Sequence, residues 1–317
     1  MDILIDGAWV YANGSLHIGH IAGLLSGDII ARYYRLAGEQ VCYVSGSDCH
    51  GTPVTIRAKA SGQSPEAISD QYHDEFVRCF NYLGFSYDYY GKTSSKGHKA
   101  FVMAFHQKLY ESPHIYEKAE PTPYCDHCGR FLPDRLVVGV CPNCAGICRG
   151  DQCDHCGQIS EAPDIIDIQC SDCGHVPRFI TSKHLYLRIT DFEKELTYLV
   201  NDSIGWRKNA ICFTNRYINE GLRDRAITRD LDWGIDVPKD GYTDKKIYIW
   251  AENVLGYLSS SYLAVGCDQE VFQRIWSQDA RHYYVHGKDN IPFHSIILPA
   301  LLLASGEKYR LPSHIMY

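Results

Sequence analysis

The stretch VYANGSLHIGH, residues 10–20, follows a short apolar run, Ile3-Leu4-Ile5, that ends at Gly7. Reading outward from this junction predicts a strand, a loop carrying Asn-Gly, and a helix that starts near His17 and stops at Gly38. A second apolar run, residues 41–44, ends in Gly46-Ser47-Asp48, and helix-prone residues follow over 52–60. Strand, loop and helix in repetition are what a parallel sheet with crossover helices requires, so the predicted class is α/β.

Composition narrows the reading further. The chain has 317 residues, of which 45% are apolar and 22% charged, a balance that suits a soluble globular protein with a sizeable core. A formal charge of −7 argues against holding nucleic acid by bulk positive charge, and leaves open a local basic face or a selectively read RNA. The N-terminus, MDILIDGAWV, has no basic segment ahead of an apolar core. The most apolar later run, residues 291–304, is broken by Pro292, His294 and Pro299. Neither a signal peptide nor a membrane span is expected.

Between about 113 and 238 the texture changes to CxxC pairs, prolines and charged segments. This divides the chain into a first α/β portion, 1–114, an inserted segment, 115–238, and a resumed α/β portion, 239–317. In the last, residues 247–250 and 283–286 read as strands, each followed by a helical pattern, over 252–263 and 292–303. The tail, 309–317, reads as the start of another strand with no helix after it, as in a chain cut short.

Most of the fourteen cysteines lie in one cluster. The four pairs CDHC, CPNC, CDHC and CSDC place Cys125/Cys128, Cys141/Cys144, Cys153/Cys156 and Cys170/Cys173 at zinc-ligand spacing, and Gly129, Gly157 and Gly174 follow three of them. Without a secretion signal, this usage points to bound metal in a reducing, cytoplasmic setting rather than to disulfides. Eight thiolates make one or two structural zinc sites within about 120–180. The inner pairs can close one site and the outer pairs the other, a nested arrangement, although spacing alone leaves the pairing open. Cys148 is then spare, and His127, His155 and His175 are solvated residues of the knuckles.

A loop that leaves the first strand of such a sheet and enters a helix N-terminus suits a phosphate or nucleotide, because free backbone N–H groups and the helix dipole favour an anion. His17 and His20, three apart, share a helical face and can donate to phosphate oxygens. Gly19 leaves room for a flat base. YANGSLHIGH resembles the HIGH signature of the class I aminoacyl-tRNA synthetases, in the form typical of the methionyl enzymes. VSGSDCHGTPV (44–54), the knuckle insertion, RAITRDLDWGI (225–235) and HGKDNIPFHS (286–295) are similar to that family in the same order.

The resemblance implies a Rossmann-like catalytic sheet interrupted by a zinc-knuckle connective insertion, and a reaction in which ATP, with Mg, activates methionine for transfer to tRNA. It places ATP at Asn13, His17, Gly19, His20, Gly287 and Asp289, with His17 and His20 acting on the phosphates. The amino acid falls to Trp9, Tyr11, Asp48, Trp250, Asn253, Tyr257 and His294, with Asp48 taking its ammonium. Two positions depart from the family: Val10 where proline is usual, and Asn253 where alanine is usual. The lysine-rich KMSKS loop and the helical anticodon-binding domain have no place within residues 1–317, and GKTSSKG (91–97) reads as a helix start rather than a substitute. The expectation is a methionine-activating core, weak or inactive alone, with a second chain as one source of the missing part. A non-catalytic relative that holds RNA, an amino acid or a protein, and a relative activating another amino acid, are the alternatives.

Overall fold

The computed structural model describes residues 1–150, 153, 155, 156, 160 and 162–316. Gly157 and Tyr317 lie outside the described residues. The main sheet is built from β1 (Asp2–Gly7), β2 (Gln40–Asp48), β3 (Tyr89–Lys92), β4 (Arg281–Val285) and β5 (His314–Met316). Their spatial order is β3-β2-β1-β4-β5, and every neighbouring pair is parallel. A further two-residue strand, Val10–Tyr11, runs beside Ser47 and Asp48 at the end of β2. Strand order reverses between β1 and β4, so their carboxyl ends diverge and leave the crevice in which such sheets bind ligands.

Alternation along the strands decides what covers each face. Ile3, Ile5, Tyr43, Tyr283 and Val285 pack with Ala31 of α1 (Ile18–Leu36). Leu4, Val44, Tyr284 and Ile315 point the other way, into a core shared with Val102 and Phe105 of α4 (Lys96–Leu109) and Leu258 of α5 (Gly256–Ala264). Helices therefore lie on both faces. Each fully buried large side chain contributes about 1.5–3 kcal/mol, so this two-sided core is what fixes the strand ends. Between α1 and α4, α2 (Thr52–Ser61) and α3 (Pro65–Tyr82) pack on each other beside β2. Asp6, on the Leu4 side of β1, is wholly buried, and burial pushes its carboxyl well up.

The insertion leaves the core on a long antiparallel hairpin, Ile115–Cys125 against Arg178–Leu187. At its far end a small sheet sets Val137–Val140 between Ile147–Arg149 and Ile166–Cys170. Near its base Asp230 accepts from Ser182 at 2.8 Å and pairs with His184 at 3.1 Å and with Lys245, and the bonds from His184 and then Lys245 hold its carboxyl down at about 2. Arg229 stacks 3.9 Å above the Tyr248 ring. Leu185, Leu196, Trp206 and Ile235 belong to the same apolar core as Leu4 and Tyr284.

One sequence expectation fails. Residues 247–250 do not form a sheet strand: only Lys246–Ile247 is extended, antiparallel to Thr228–Arg229, and Ile249–Glu252 is a helical turn. Tyr248 N–H is taken by Ile227 C=O at 2.9 Å and Ala251 N–H by Tyr248 C=O at 2.8 Å, so tertiary pairing overrides the β-propensity of Ile-Tyr-Ile-Trp. GKTSSKG does start a helix: Ser95 caps α4 and accepts from His98 N–H at 3.2 Å. Among the described residues, no helix is long and apolar enough to cross a membrane.

Candidate active site

Two loops flank the crevice, one leaving β1 and one leaving β4. His17 is the N-cap of α1, and its Nδ1 accepts from Gly19 N–H at 3.1 Å. His20, at the third helical position, reciprocates by accepting from His17 N–H on its own Nδ1 at 3.3 Å. The pair thus forms a capping box made of imidazoles. Because each Nδ1 is an acceptor, the proton of each neutral ring sits on Nε2, and both rings present a donor. The rings stack with centroids 3.7 Å apart. Burial and the neighbouring His17 lower the pKa of His20, which favours the neutral donor over the imidazolium. Gly19 is tied to the same motif, since a Cβ there would approach the His17 ring to 2.9 Å. Asn13 is half-buried in the turn, with its N–H on Tyr11 C=O at 2.9 Å. Across the crevice, Gly287 and Asp289 lie exposed just after β4, where Asp289 pairs with Lys288 at 2.6 Å.

Of the residues read as an amino-acid pocket, Tyr11 and Asn253 meet Asp48 at the end of β2, and Tyr257 meets Trp9 and His294. Asp48 is buried, and burial, reinforced by the charge of Glu252, pushes its carboxyl well above the ordinary range. Asn253 Nδ2 donates to Asp48 Oδ2 at 3.1 Å. Asn253 Oδ1 is left buried and unpartnered. Tyr257 and His294 are hydrogen-bonded at 2.7 Å. His294 donates from Nδ1 to Asn290 C=O at 2.8 Å, and burial holds the ring neutral, so its Nε2 accepts the Tyr257 hydroxyl proton. A π-helical turn, Phe293–Ile297, carries His294. Trp250 meets the ring of Phe293 edge-on at 4.8 Å, and also lines a cleft of about 280 Å³ with Arg229, His184 and Tyr248. Tyr11 pairs with Asp48 in the sheet.

Trp9 is held in a slot that requires glycine. A Cβ on Gly46 of β2 would run into its indole, and one on Gly256 of α5 would come within 2.5 Å. The Trp9 ring lies 6.5 Å from that of Tyr257, edge to face. The Gly46→Ala protein is expected to lose about 1–3 kcal/mol of stability, because a rigid indole cannot yield to an added methyl. Chemical denaturation measures this, and an unchanged midpoint would show that the slot is loose.

Sequence reading missed three buried side chains beside Asp48, those of His50, Glu252 and His98, and the half-buried Trp233 packed on His50. His50 Nδ1 and Glu252 Oε1 are 2.5 Å apart and both residues are about 1% exposed. His98 bonds Ser259 Oγ through Nδ1 at 2.8 Å and places Nε2 3.7 Å from Glu252 Oε1. Trp233 packs edge-on against His50 and donates to Cys49 C=O at 2.7 Å. The usable signal was an acid, Glu252, in an otherwise apolar segment.

The cysteines come together as two tetrads, Cys125/Cys128/Cys170/Cys173 and Cys141/Cys144/Cys153/Cys156, which is the nested arrangement. Sulfur separations are 3.5 Å for Cys125–Cys173, 3.8 Å for Cys128–Cys170, 3.9 Å for Cys141–Cys156 and 3.6 Å for Cys144–Cys153. Four sulfurs around a tetrahedral zinc sit about 3.8 Å apart, so both tetrads fit that ion. Gly129 and Gly174 adopt φ +66° and +72° after their pairs, the left-handed turn that a knuckle needs. Cys148 belongs to neither tetrad and bonds Ser160 Oγ at 2.9 Å, and His127, His155 and His175 are exposed.

A family model described as tRNA synthetases class I (M) matches residues 3–317. Methionine–tRNA ligases of Bacillus cereus (strain AH187) and Alkaliphilus oremlandii (strain OhILAs) are each 50% identical to this chain, over 319 and 320 residues. Another, from Bacillus mycoides (strain KBAB4), is 51% identical over 319 residues. Each match covers 100% of this chain and 58% of the relative, so the chain spans little more than half the length of the curated relatives it matches. Among solved structures, Mycobacterium tuberculosis methionyl-tRNA synthetase in complex with methionyl-adenylate has the same fold, with a TM-score of 0.75 at 23% identity over 99% of this chain and 56% of that one. The sheet order, the imidazole-capped helix, the cysteine tetrads and the family match over residues 3–317 agree: the chain belongs to the tRNA synthetases class I (M).

Proposed function

We propose that residues 1–317 are the amino-acid-activating core of a methionine–tRNA ligase, with the catalytic sheet in 1–114 and 239–317 and the connective insertion in 115–238. The observation that carries this reading is a buried carboxylate, Asp48, set among aromatic side chains at the same sheet edge as two imidazole donors. Asp48 takes the ammonium of methionine. Trp9, Tyr11, Trp250, Asn253, Tyr257 and His294 enclose its side chain, since aromatic walls suit a polarizable thioether. The substrate carboxylate attacks the α-phosphate of ATP and pyrophosphate leaves. His17 and His20 donate from Nε2 to phosphate oxygens as charge develops, Asn13 and Gly19 shape the loop, and Gly287 and Asp289 meet the ribose. Magnesium accompanies ATP. Zinc fills the two tetrads and is structural, because four thiolates leave no open coordination position.

Transfer to tRNA draws on parts present in the longer relatives, supplied on the same polypeptide or by a second chain. Residues 1–317 alone bind both ligands and turn over weakly, in a cytoplasmic, reducing setting. The test is methionine-dependent ATP–pyrophosphate exchange together with calorimetric titration of the chain with L-methionine and a panel of amino acids. Binding of methionine with slow exchange supports the reading, and absence of methionine binding refutes it. The polar group of Asn253 beside Asp48 favours one second reading, a relative that activates another amino acid, and the panel separates the two.

A further inference from the structure

α1 is apolar on two opposite sides. Leu24, Gly27, Asp28 and Ala31 are its buried residues. Leu25, Ile29, Tyr33 and Leu36, three or four positions apart and so on one face, are 44%, 58%, 64% and 89% exposed. They run along about 16 Å of helix, and a helix that is hydrophobic all round is one that belongs in an interior. This stripe continues onto the sheet through a series of rings. Tyr33 meets Tyr34 edge to face at 5.2 Å, the Tyr34 hydroxyl lies 2.5 Å from that of Tyr283 on β4, and the Tyr283 ring stacks on His314 of β5 at 4.1 Å. His314 and Met316 are only half-buried. A parallel sheet is ordinarily covered on both faces. A helix is about 10–12 Å across and strands lie about 4.8 Å apart, so α1 can cover two of the five strands. Among the described residues the core on this face draws its side chains from the strands, α1 and Tyr87, and no second helix contributes. A loop reaches the far edge, where Arg207 N–H donates to Ile315 C=O at 3.2 Å, and Ile204 in that loop is fully exposed.

We infer that the outer face of α1, with the adjoining surface of β4 and β5, is the docking site for an amphipathic helix belonging to the part of the longer relatives that lies outside the matched span. That part is large, since each match covers 58% of the relative. A helix is the element that fits: residues three or four apart on α1 form a ridge against which the side chains of a second helix interdigitate. Laid beside α1, it would also give β4 and β5 the cover that a parallel sheet needs. The docking helix carries a carboxylate at its rim. Arg281, exposed beside Tyr34, has the Tyr34 hydroxyl at 3.5 Å and no ion pair among the described residues. A second copy of this chain fits less well, because a two-fold contact presents the same patch twice and the one carboxylate of α1, Asp28, is buried. The inference is independent of which amino acid the core activates.

The test joins residues 1–317 to the remaining part of the Bacillus cereus (strain AH187) relative, in that protein's own order, with a protease site at the junction. Hydroxyl-radical footprinting then reads side-chain exposure in the joined protein and in residues 1–317 alone. Oxidation of Leu25, Ile29, Tyr33 and Leu36 is expected to fall on joining to the level of the buried Leu24, while Val176 in the insertion, 77% exposed, keeps its own. After cleavage at the junction the two pieces are expected to stay together through gel filtration. In the double variant I29E/Y33E the contact would bury unpaired charge, so the dissociation constant of the cleaved pair rises at least about tenfold. Both positions are exposed in residues 1–317 alone, whose denaturation midpoint should therefore be unchanged by the same substitutions. Unchanged oxidation of the stripe on joining, separation of the parent's cleaved pieces, or variant pieces that hold together as tightly as the parent's would each overturn the inference. So would a dimer of residues 1–317 that the double variant separates, which would make a second copy the occupant. Should the joined variant not fold, footprinting of the unsubstituted protein decides.

Discussion

Cys170→Ser protein is expected to carry one zinc per chain where the parent carries two, and to lose the ordered tip of its insertion. The tip has little else to hold it: its apolar core is Leu132, Leu136, Val137 and Ile165 with the buried cysteines themselves. Burying each such side chain contributes about 1.5–3 kcal/mol, whereas ordering each residue of the tip costs roughly 1–2 kcal/mol of backbone entropy. A structural zinc contributes about 10–16 kcal/mol in small zinc domains at neutral pH, and that is the scale needed to close the difference. Lys59 of α2 reaches Asp172 at 2.8 Å, an exposed ion pair that contributes little by comparison. The parallel sheet has a separate apolar core, so it should stay folded. Elemental analysis gives the metal count, and amide exchange over 137–140 and 166–170 against 2–7 and 281–285 gives the local loss. Full protection of the tip in chelator-stripped protein would contradict a zinc-dependent fold.

Asp48→Asn is expected to weaken L-methionine by roughly 2–5 kcal/mol, some thirtyfold to several thousandfold, because the ammonium enters a buried site and loses its one anionic partner. The pH dependence has a definite sign. Burial, and then the charge of Glu252, raise the Asp48 carboxyl, so in the free protein it holds a proton at pH values where an exposed aspartate would not. Only the anion pairs with an ammonium. Affinity therefore rises with pH until the raised pKa is passed, and below it each methionine bound releases a proton. Titration in two buffers of different ionisation enthalpy counts that proton. The amide introduced by Asp48→Asn cannot ionise, so the variant's affinity should be flat over the same range. A parent protein whose methionine affinity is indifferent to pH would show that Asp48 is already ionised, or that it does not hold the ammonium.

What sequence made legible is what is encoded at short range. The apolar runs around Ile3-Leu4-Ile5 and over 41–44 form β1 and β2 because alternation and bounding glycines are local properties. His17 and His20 read as a helix start, and they are one, although nothing in their spacing says that their own imidazoles form the cap. The cysteine pairs are recognisable from spacing, which left their grouping open; the structure brings them together as two nested tetrads. Trp250 reads as part of a strand and is not, because pairing with 228–229 stops at Ile247 and Tyr248 N–H is taken by Ile227 C=O, after which the chain turns helical.

Sequence by itself therefore determined the parallel α/β class, the imidazole loop at the end of the first strand, and the eight thiolates at zinc-ligand spacing, since each rests on residues close along the chain. Tertiary structure alone decided how the pocket is charged and shaped. His50 and Glu252 lie 202 residues apart, and so no spacing rule could pair them. The slot for Trp9 joins Gly46 to Gly256, and Asn253 meets Asp48 across 205 positions. The partners of the two buried carboxylates, Asn253 for Asp48 and His50 for Glu252, exist only once β2, α4 and α5 have packed together.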